Sequence, residues 1–200
     1  DVPADGFAIY GADRSIDGQG QGGAISGGTA ELLNANIAAA GGFTMESWFK
    51  WDGTGDINAF IDYAGTEKLV IQNQVGDNRE LTLRINSDAT LDSVFADVAP
   101  DEWHYVASVF DTGGAQVGAD GSIEGSFLFY LDCNFVGTSD PRAISSFGDE
   151  LDRPIGIAKH PLTFARDHFN GQVYLPRVSL GALAPEDLLF YIPELKCDFD

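Results

Sequence analysis

The chain has 200 residues, 44% hydrophobic and 12% aromatic, with 24 glycines and 8 prolines, which excludes a disordered chain and suits one all-β domain. Its formal charge of −20, from 31 Asp and Glu against 11 Lys and Arg, excludes nucleic acid and anionic membrane surfaces, since both require a basic footprint.

Residues 1–6 read as a loose tail on a single domain spanning 1–200, with no basic and apolar leader. No apolar run approaches the roughly 18 residues of a membrane span, so no membrane insertion is expected. A short strand is predicted at 6–10. The glycine-rich stretch 17–23 lacks the Lys-Ser/Thr ending of a phosphate cradle and precedes a strand-like Ala24-Ile25-Ser26, so it reads as a turn. Residues 31–40 form a short helix or loop stopped by Gly41-Gly42.

Residues 43–51 alternate Phe43, Met45, Ser47, Phe49 and Trp51 against Thr44, Glu46, Trp48 and Lys50. That pattern predicts a strand with one buried and one exposed face. Further strands are expected at 57–64, 68–74, 80–86, 94–98 and 103–110, separated by turn residues. The polar connection 111–126 is expected to be exposed and mobile, and its acids do not follow the order of a calcium-binding helix–loop–helix. Residues 127–137 form a hairpin that folds back at Asp132-Cys133-Asn134. Strands at 153–158 and 169–180 follow, then one helical turn at 184–188 with proline early and acids after it.

Several of these segments carry a family's wording. Trp103-His104-Tyr105-Val106-Ala107, followed by Tyr130-Leu131-Asp132 and Val136-Gly137, resembles the W-H-x-V-A … Y-x-D-G-x-x-V-G run of laminin G-like domains. Phe43-Thr44 with Trp48 and Lys50 resembles the family's F-T-x-x-x-W-x-K strand, and Ala182-Leu183 with Glu186-Asp187-Leu188 its A-L-S-x-E-E-L ending. The resemblance covers residues 22–190 in family order. It implies an antiparallel jelly-roll β-sandwich of the concanavalin A-like class, with one or two short helices. It also implies an extracellular module that recognises a glycan or a protein surface through its loops.

The chain departs from the family at two places. Cys133 stands where the turn glycine is usual, and Val173-Tyr174-Leu175 replaces an I-D-E that supplies a carboxylate near a calcium ion. Thr66-Glu67 and Ala158-Lys159-His160 likewise do not match a pentraxin-like calcium pair. The remaining acids Asp62, Glu67 and Asp167 are either solvated surface charge or ligands of a single Ca2+. Trp51, Tyr63 and Tyr174 are candidates for a sugar-stacking platform, against the alternative that Trp48, Trp51 and Trp103 pack in the core or cap it. In a secreted β domain Cys133 and Cys197 form one disulfide, tying the C-terminal tail to the hairpin. The alternative is two buried thiols in a reducing compartment.

Catalytic patterns are missing. Glycoside hydrolases of this class place acids on one strand as E-x-D-x-x-E, so that they share a face. No such run occurs, and 148–152, the nearest acidic group, is bracketed by Gly148 and Pro154 as a loop. His160 and His168 share a loop with Arg166 and Asp167, which reads as exposed polarity, while His104 reads as structural. The expected function is therefore non-catalytic recognition. The alternatives are an assembly domain of a surface or coat protein, and a glycan-active hydrolase or lyase with an unrecognised site.

Overall fold

The computed structural model describes residues 15–17, 24–25, 34–54, 57–66, 69–76, 80–85, 90–144, 155–157 and 169–189. The strand expected at 6–10 lies outside them.

Two antiparallel sheets carry the described fold, with strands numbered along the chain. The first runs β1 (Ser15–Asp17), β13 (Gly171–Leu180), β3 (Gly42–Trp51), β8 (Trp103–Asp111), β9 (Ile123–Leu131) and β10 (Asn134–Thr138), with β11 (Arg142–Ile144) also on β9. The second runs β2 (Ala24–Ile25), β12 (Ile155–Ile157), β4 (Ile57–Thr66), β5 (Leu69–Gly76), β6 (Glu80–Ile85) and β7 (Thr90–Asp97). This is the antiparallel jelly-roll sandwich that the laminin G-like resemblance implies. Strand β7 starts earlier than expected, and the short β1 and β11 carry too little alternation to be read from sequence.

The inner faces share one core. Phe43, Met45 and Phe49 of β3, with Phe110 of β8, meet Ile61 of β4 and Leu81 of β6. Phe43, Phe110 and Phe127 pack with ring centroids 4.9–5.9 Å apart. Burying each such side chain stabilises the fold by roughly 1.5–3 kcal/mol. Helix α1 (Asn34–Ala40) inserts the fully buried Ile37 into this core and stops at Gly41, whose left-handed φ of 78° ends the helix. At seven residues it is too short to persist alone, so packing holds it.

The expectation of one exposed face on β3 is corrected. Thr44, Glu46 and Trp48, on its outer side, are buried as deeply as the inner residues. The cause is the segment 181–189, which returns after β13 and lies over this face. Leu188 packs in a second apolar layer with Trp48, Tyr105, Ala107, Val109, Tyr130 and Cys133. The helical turn expected in this segment is a 3-10 turn, Pro185–Asp187.

The 111–126 connection is shorter than expected, because β9 begins at Ile123. What remains is mostly exposed and is organised by backbone bonds from Ala115 to Thr112 and from Gly118 to Ser122.

Candidate functional site

The outer face of the first sheet is organised in rungs across β13, β3 and β8. Tyr174, Trp48 and Tyr105 share one rung, and Gln172, Lys50 and Trp103 the next. Farther along, Arg177, Glu46 and Ala107 are aligned, then Ser179, Thr44 and Val109.

Segment 181–189 covers the Thr44 and Glu46 rungs. Thr44 Oγ1 donates to Gly181 O at 2.9 Å and accepts from Leu183 N at 3.1 Å. Glu46 is fully buried, and its carboxylate collects donors from three elements. Tyr105 Oη and Leu189 N each donate to Oε2 at 2.6 Å, while Arg177 donates to Oε1 from both Nε and Nη2. Arg177 Nη2 also donates to Asp187 O at 2.7 Å, so the arginine fixes both the acid and the segment above it. A buried carboxylate is tolerated only with such pairing. Burial foremost, then the Glu46 charge, push the Tyr105 phenol far above its usual range, so it stays a neutral donor.

The Trp48 and Lys50 rungs extend beyond that cover. Trp103 and Tyr174 meet edge to face across β3, with ring centroids 6.3 Å apart at 71°. Both are half-buried, as are Lys50 and Gln172. Trp48 beside them is 3% exposed, packs tilted at 54° against Tyr105 with ring centroids 5.2 Å apart, and its Nε1 has no acceptor among the described residues. The result is a partly open aromatic floor with an ammonium and an amide on it. Rings with an apolar face and a polar tip suit a ligand that is itself half apolar and half hydroxylated.

The sequence candidates fare differently. Tyr174 lies on this floor. Trp51 does not: it faces the inner core, is 2% exposed, and donates from Nε1 to Thr54 O at 2.9 Å. It has no ring face left for a sugar, so that assignment is corrected. Tyr63 lies on β4 of the other sheet, paired with Ile71 and Ile155, away from Tyr174. Asp62 is on β4 opposite Gln72 and Gly156, while Glu67 and Asp167 lie outside the described residues. Among the described residues no three His, Cys, Asp or Glu side chains converge as a metal site. His160 and His168 also lie outside the described residues.

Trp103, read from sequence as packing in the core or capping it, packs half-buried against the second apolar layer and so keeps part of its ring on the open end of this face. A cue was available in its alternation, which places it on the Tyr105 face of β8.

At the hairpin, Asp132 and Cys133 form the two-residue turn, both left-handed at φ 45° and 69°, and Asn134 already pairs with Leu131. Such turns favour Asp-Gly and Asn-Gly because both central residues need positive φ. Cys133 adopts the glycine conformation and is 7% exposed. Cys197 lies outside the described residues. Asp132 also receives Tyr105 N at 2.9 Å and contacts His104 Nδ1 at 2.8 Å, while His104 Nε2 faces Ala99 O at 3.2 Å. Both ring nitrogens face acceptors, so the doubly protonated ring satisfies the site. The Asp132 hydrogen bond raises the His104 pKa against the opposing effect of burial.

A second depression, of about 440 Å³, lies beside the 112–122 loop, lined by Asp111, Glu124, Ser126, Leu128, Thr138 and Pro141 among others. It has no aromatic ring and no cation.

Comparisons with known proteins agree with this architecture. The chain is similar to the Ruminococcus gnavus IT-sialidase CBM40 bound to alpha2,3 sialyllactose, at TM-score 0.60 and 13% identity, covering 92% of this chain and 94% of that one. It is also similar to domain 4 of AbnA, a GH43 extracellular arabinanase from Geobacillus stearothermophilus in complex with arabinotriose, at TM-score 0.56 and 14% identity, covering 82% and 79%. A heptameric SAP-like pentraxin from Limulus polyphemus matches at TM-score 0.51 and 14% identity, covering 73% and 67%. At these identities the likeness is one of fold. No curated protein sequence matches the chain significantly. A laminin G family model, described as "Concanavalin A-like lectin/glucanases superfamily", matches residues 22–188, and the chain belongs to that family.

Proposed function

We propose that this chain is a non-catalytic extracellular recognition module that binds a glycan on the partly open Trp103–Tyr174 floor of its outer sheet. The observation that carries the reading is that ring pair, half-buried on a face otherwise sealed by segment 181–189. Two structural neighbours, described as a carbohydrate-binding module with sialyllactose and an arabinanase domain with arabinotriose, support a sugar ligand for this architecture. The missing E-x-D-x-x-E strand supports a non-catalytic role. A tie between Cys133 and Cys197 fits an oxidising, extracellular setting, and the finding that Cys133 is not a free thiol supports it. Calcium at Asp62, Glu67 and Asp167 remains a separate part of the proposal, since Glu67 and Asp167 lie outside the described residues.

A glycan array probed with and without calcium tests the reading. Binding that falls at least tenfold in Tyr174→Ala and Trp103→Ala supports it, and calcium dependence would restore the metal. Absence of binding on the whole array overturns it. A depolymerisation assay on acidic and neutral polysaccharides addresses hydrolase or lyase activity.

A second reading, an assembly domain that meets a protein surface, is favoured by one observation. Phe135 and Val136 of the edge strand β10 are 56% and 41% exposed. Adjacent exposed apolar residues at a sheet edge suit a protein contact. Sedimentation of Phe135→Asp against the unaltered chain tests it. A change in oligomeric state would favour assembly.

A further inference from the structure

The open end of the outer face holds a cation without a counter-charge among the described residues. Lys50 stands on β3 between Gln172 and Trp103, half-buried, and forms no ion pair or hydrogen bond through its side chain with a described residue. In a chain with 31 acids and 11 bases, an ammonium beside aromatic rings with no acid paired to it among the described residues is an exception. Arg177, the other cation described on this face, is committed to Glu46. The exposed acids Asp101 and Glu102, next to Trp103 in sequence, do not pair with Lys50. Asp17 occupies the rung position beyond Gln172, two strands from Lys50.

We infer that this floor selects an anionic sugar, one carrying a carboxylate or a sulfate. Lys50 meets the anion, and Trp103 and Tyr174 meet the ring. The inference rests on the glycan reading above and adds the charge of the ligand. Lysine suits the task because its ammonium is a compact charge with rotatable donors that imposes no fixed fork on the acceptor. Gln172, whose side chain is also without a hydrogen-bond partner among the described residues, supplies an amide for neighbouring hydroxyls. The overall charge of −20 repels an anion at long range. At physiological salt that repulsion is screened beyond about 8 Å, so the group in contact decides binding.

Calorimetric titration with three trisaccharides separates the possibilities: a galacturonate, its carboxyl-reduced galactose counterpart, and a sulfated galactose. The expected result is that at least one anionic sugar binds tenfold or more tighter than the neutral one. Lys50→Gln should reduce that sugar to the neutral level, whereas Tyr174→Ala should weaken all binding. The carboxylate and sulfate arms identify which anion is preferred. Equal affinity for neutral and anionic sugars overturns the inference and leaves the glycan reading standing. An equal loss for all sugars in Lys50→Gln, at an unchanged melting temperature, also overturns it, because the lysine would then serve only the shape of the floor. Absence of affinity for all three overturns the inference, and the array decides separately whether the wider glycan reading survives.

Discussion

Tyr105 Oη donates to Glu46 Oε2 at 2.6 Å across two neighbouring strands, and the same oxygen receives Leu189 N. This joins the centre of the first sheet to the segment that seals its outer face. Glu46→Ala removes the acceptor for Tyr105, Leu189 and Arg177 together. Breaking a buried pair this way costs about 3–5 kcal/mol. Tyr105→Phe removes one donor and keeps the ring, with an expected loss of about 1–3 kcal/mol. Urea unfolding of both variants checks the order. Equal losses would mean that the Tyr105 hydroxyl bond alone carries the network, with the Leu189 and Arg177 bonds to Glu46 adding little.

The pH dependence of stability should carry a signature of His104. Its folded pKa lies above the ordinary 6.5, because the Asp132 hydrogen bond outweighs burial, with Asp132 charge, Ala99 O and Glu102 adding to it. A raised folded pKa means the stabilisation is complete below the unfolded value and is lost as pH rises through the folded one. Unfolding free energy should therefore fall between acidic and alkaline buffer across that window, and His104→Gln should flatten this component. Proton NMR of the ring gives the pKa directly. A value at or below 6.5 would remove the basis of the expectation, and Asp132→Asn should lower it.

Much of the first sheet was legible because β3 and β9 alternate strongly and β8 is rich in large apolar residues. The inner residues Phe43, Phe49, Phe110 and Phe127 are those the alternation selects. The outer layer was not legible from β3 alone, since Thr44, Glu46 and Lys50 look solvated until a distant segment covers or flanks them. Strand β8 held the missing cue. Tyr105, Ala107 and Val109 on one side, and Val106 and Phe110 on the other, make a run apolar on both faces, as in a strand buried on both. Trp51 was left between two readings, a sugar platform and core packing, and the structure favours the second. Its inward parity and bond to Thr54 O place it in the core.

The turn at Cys133 separates two effects. Closing a loop of this length by a disulfide would contribute about 4 kcal/mol in the chain-entropy model. A non-glycine residue at a left-handed φ of 69° costs roughly 1–2 kcal/mol. Reductant should therefore lower the melting temperature of the unaltered chain and leave Cys197→Ser unaffected. Under reducing conditions, Cys133→Gly should melt above Cys133→Ser, because glycine relieves the backbone. Insensitivity of the unaltered chain to reductant would exclude the tie.

The two ends of β3 depend on glycines that let neighbouring backbone come close. A Cβ on Gly42, at φ 151°, would lie 1.9 Å from Phe110 O, and one on Gly171, at φ 152°, would lie 2.0 Å from Lys50 O. Both obstacles are strand carbonyls, so relief requires parting β3 from β8 at one end, or β13 from β3 at the other. Gly42→Ala and Gly171→Ala should each destabilise beyond the roughly 1 kcal/mol of an ordinary surface change. They should differ in what else they disturb. Gly171 stands opposite Trp51, one pair from the Gln172–Lys50 pair, so its variant should also weaken ligand binding on the floor. Gly42 lies at the Phe43 end, beneath the contact of Gly181 N with its carbonyl, so its variant should loosen segment 181–189 and spare the floor. Hydrogen exchange at Leu189 N–H, with sugar titration of both variants, resolves the two effects. Equal binding loss in both would mean that the floor and the sealed end move as one.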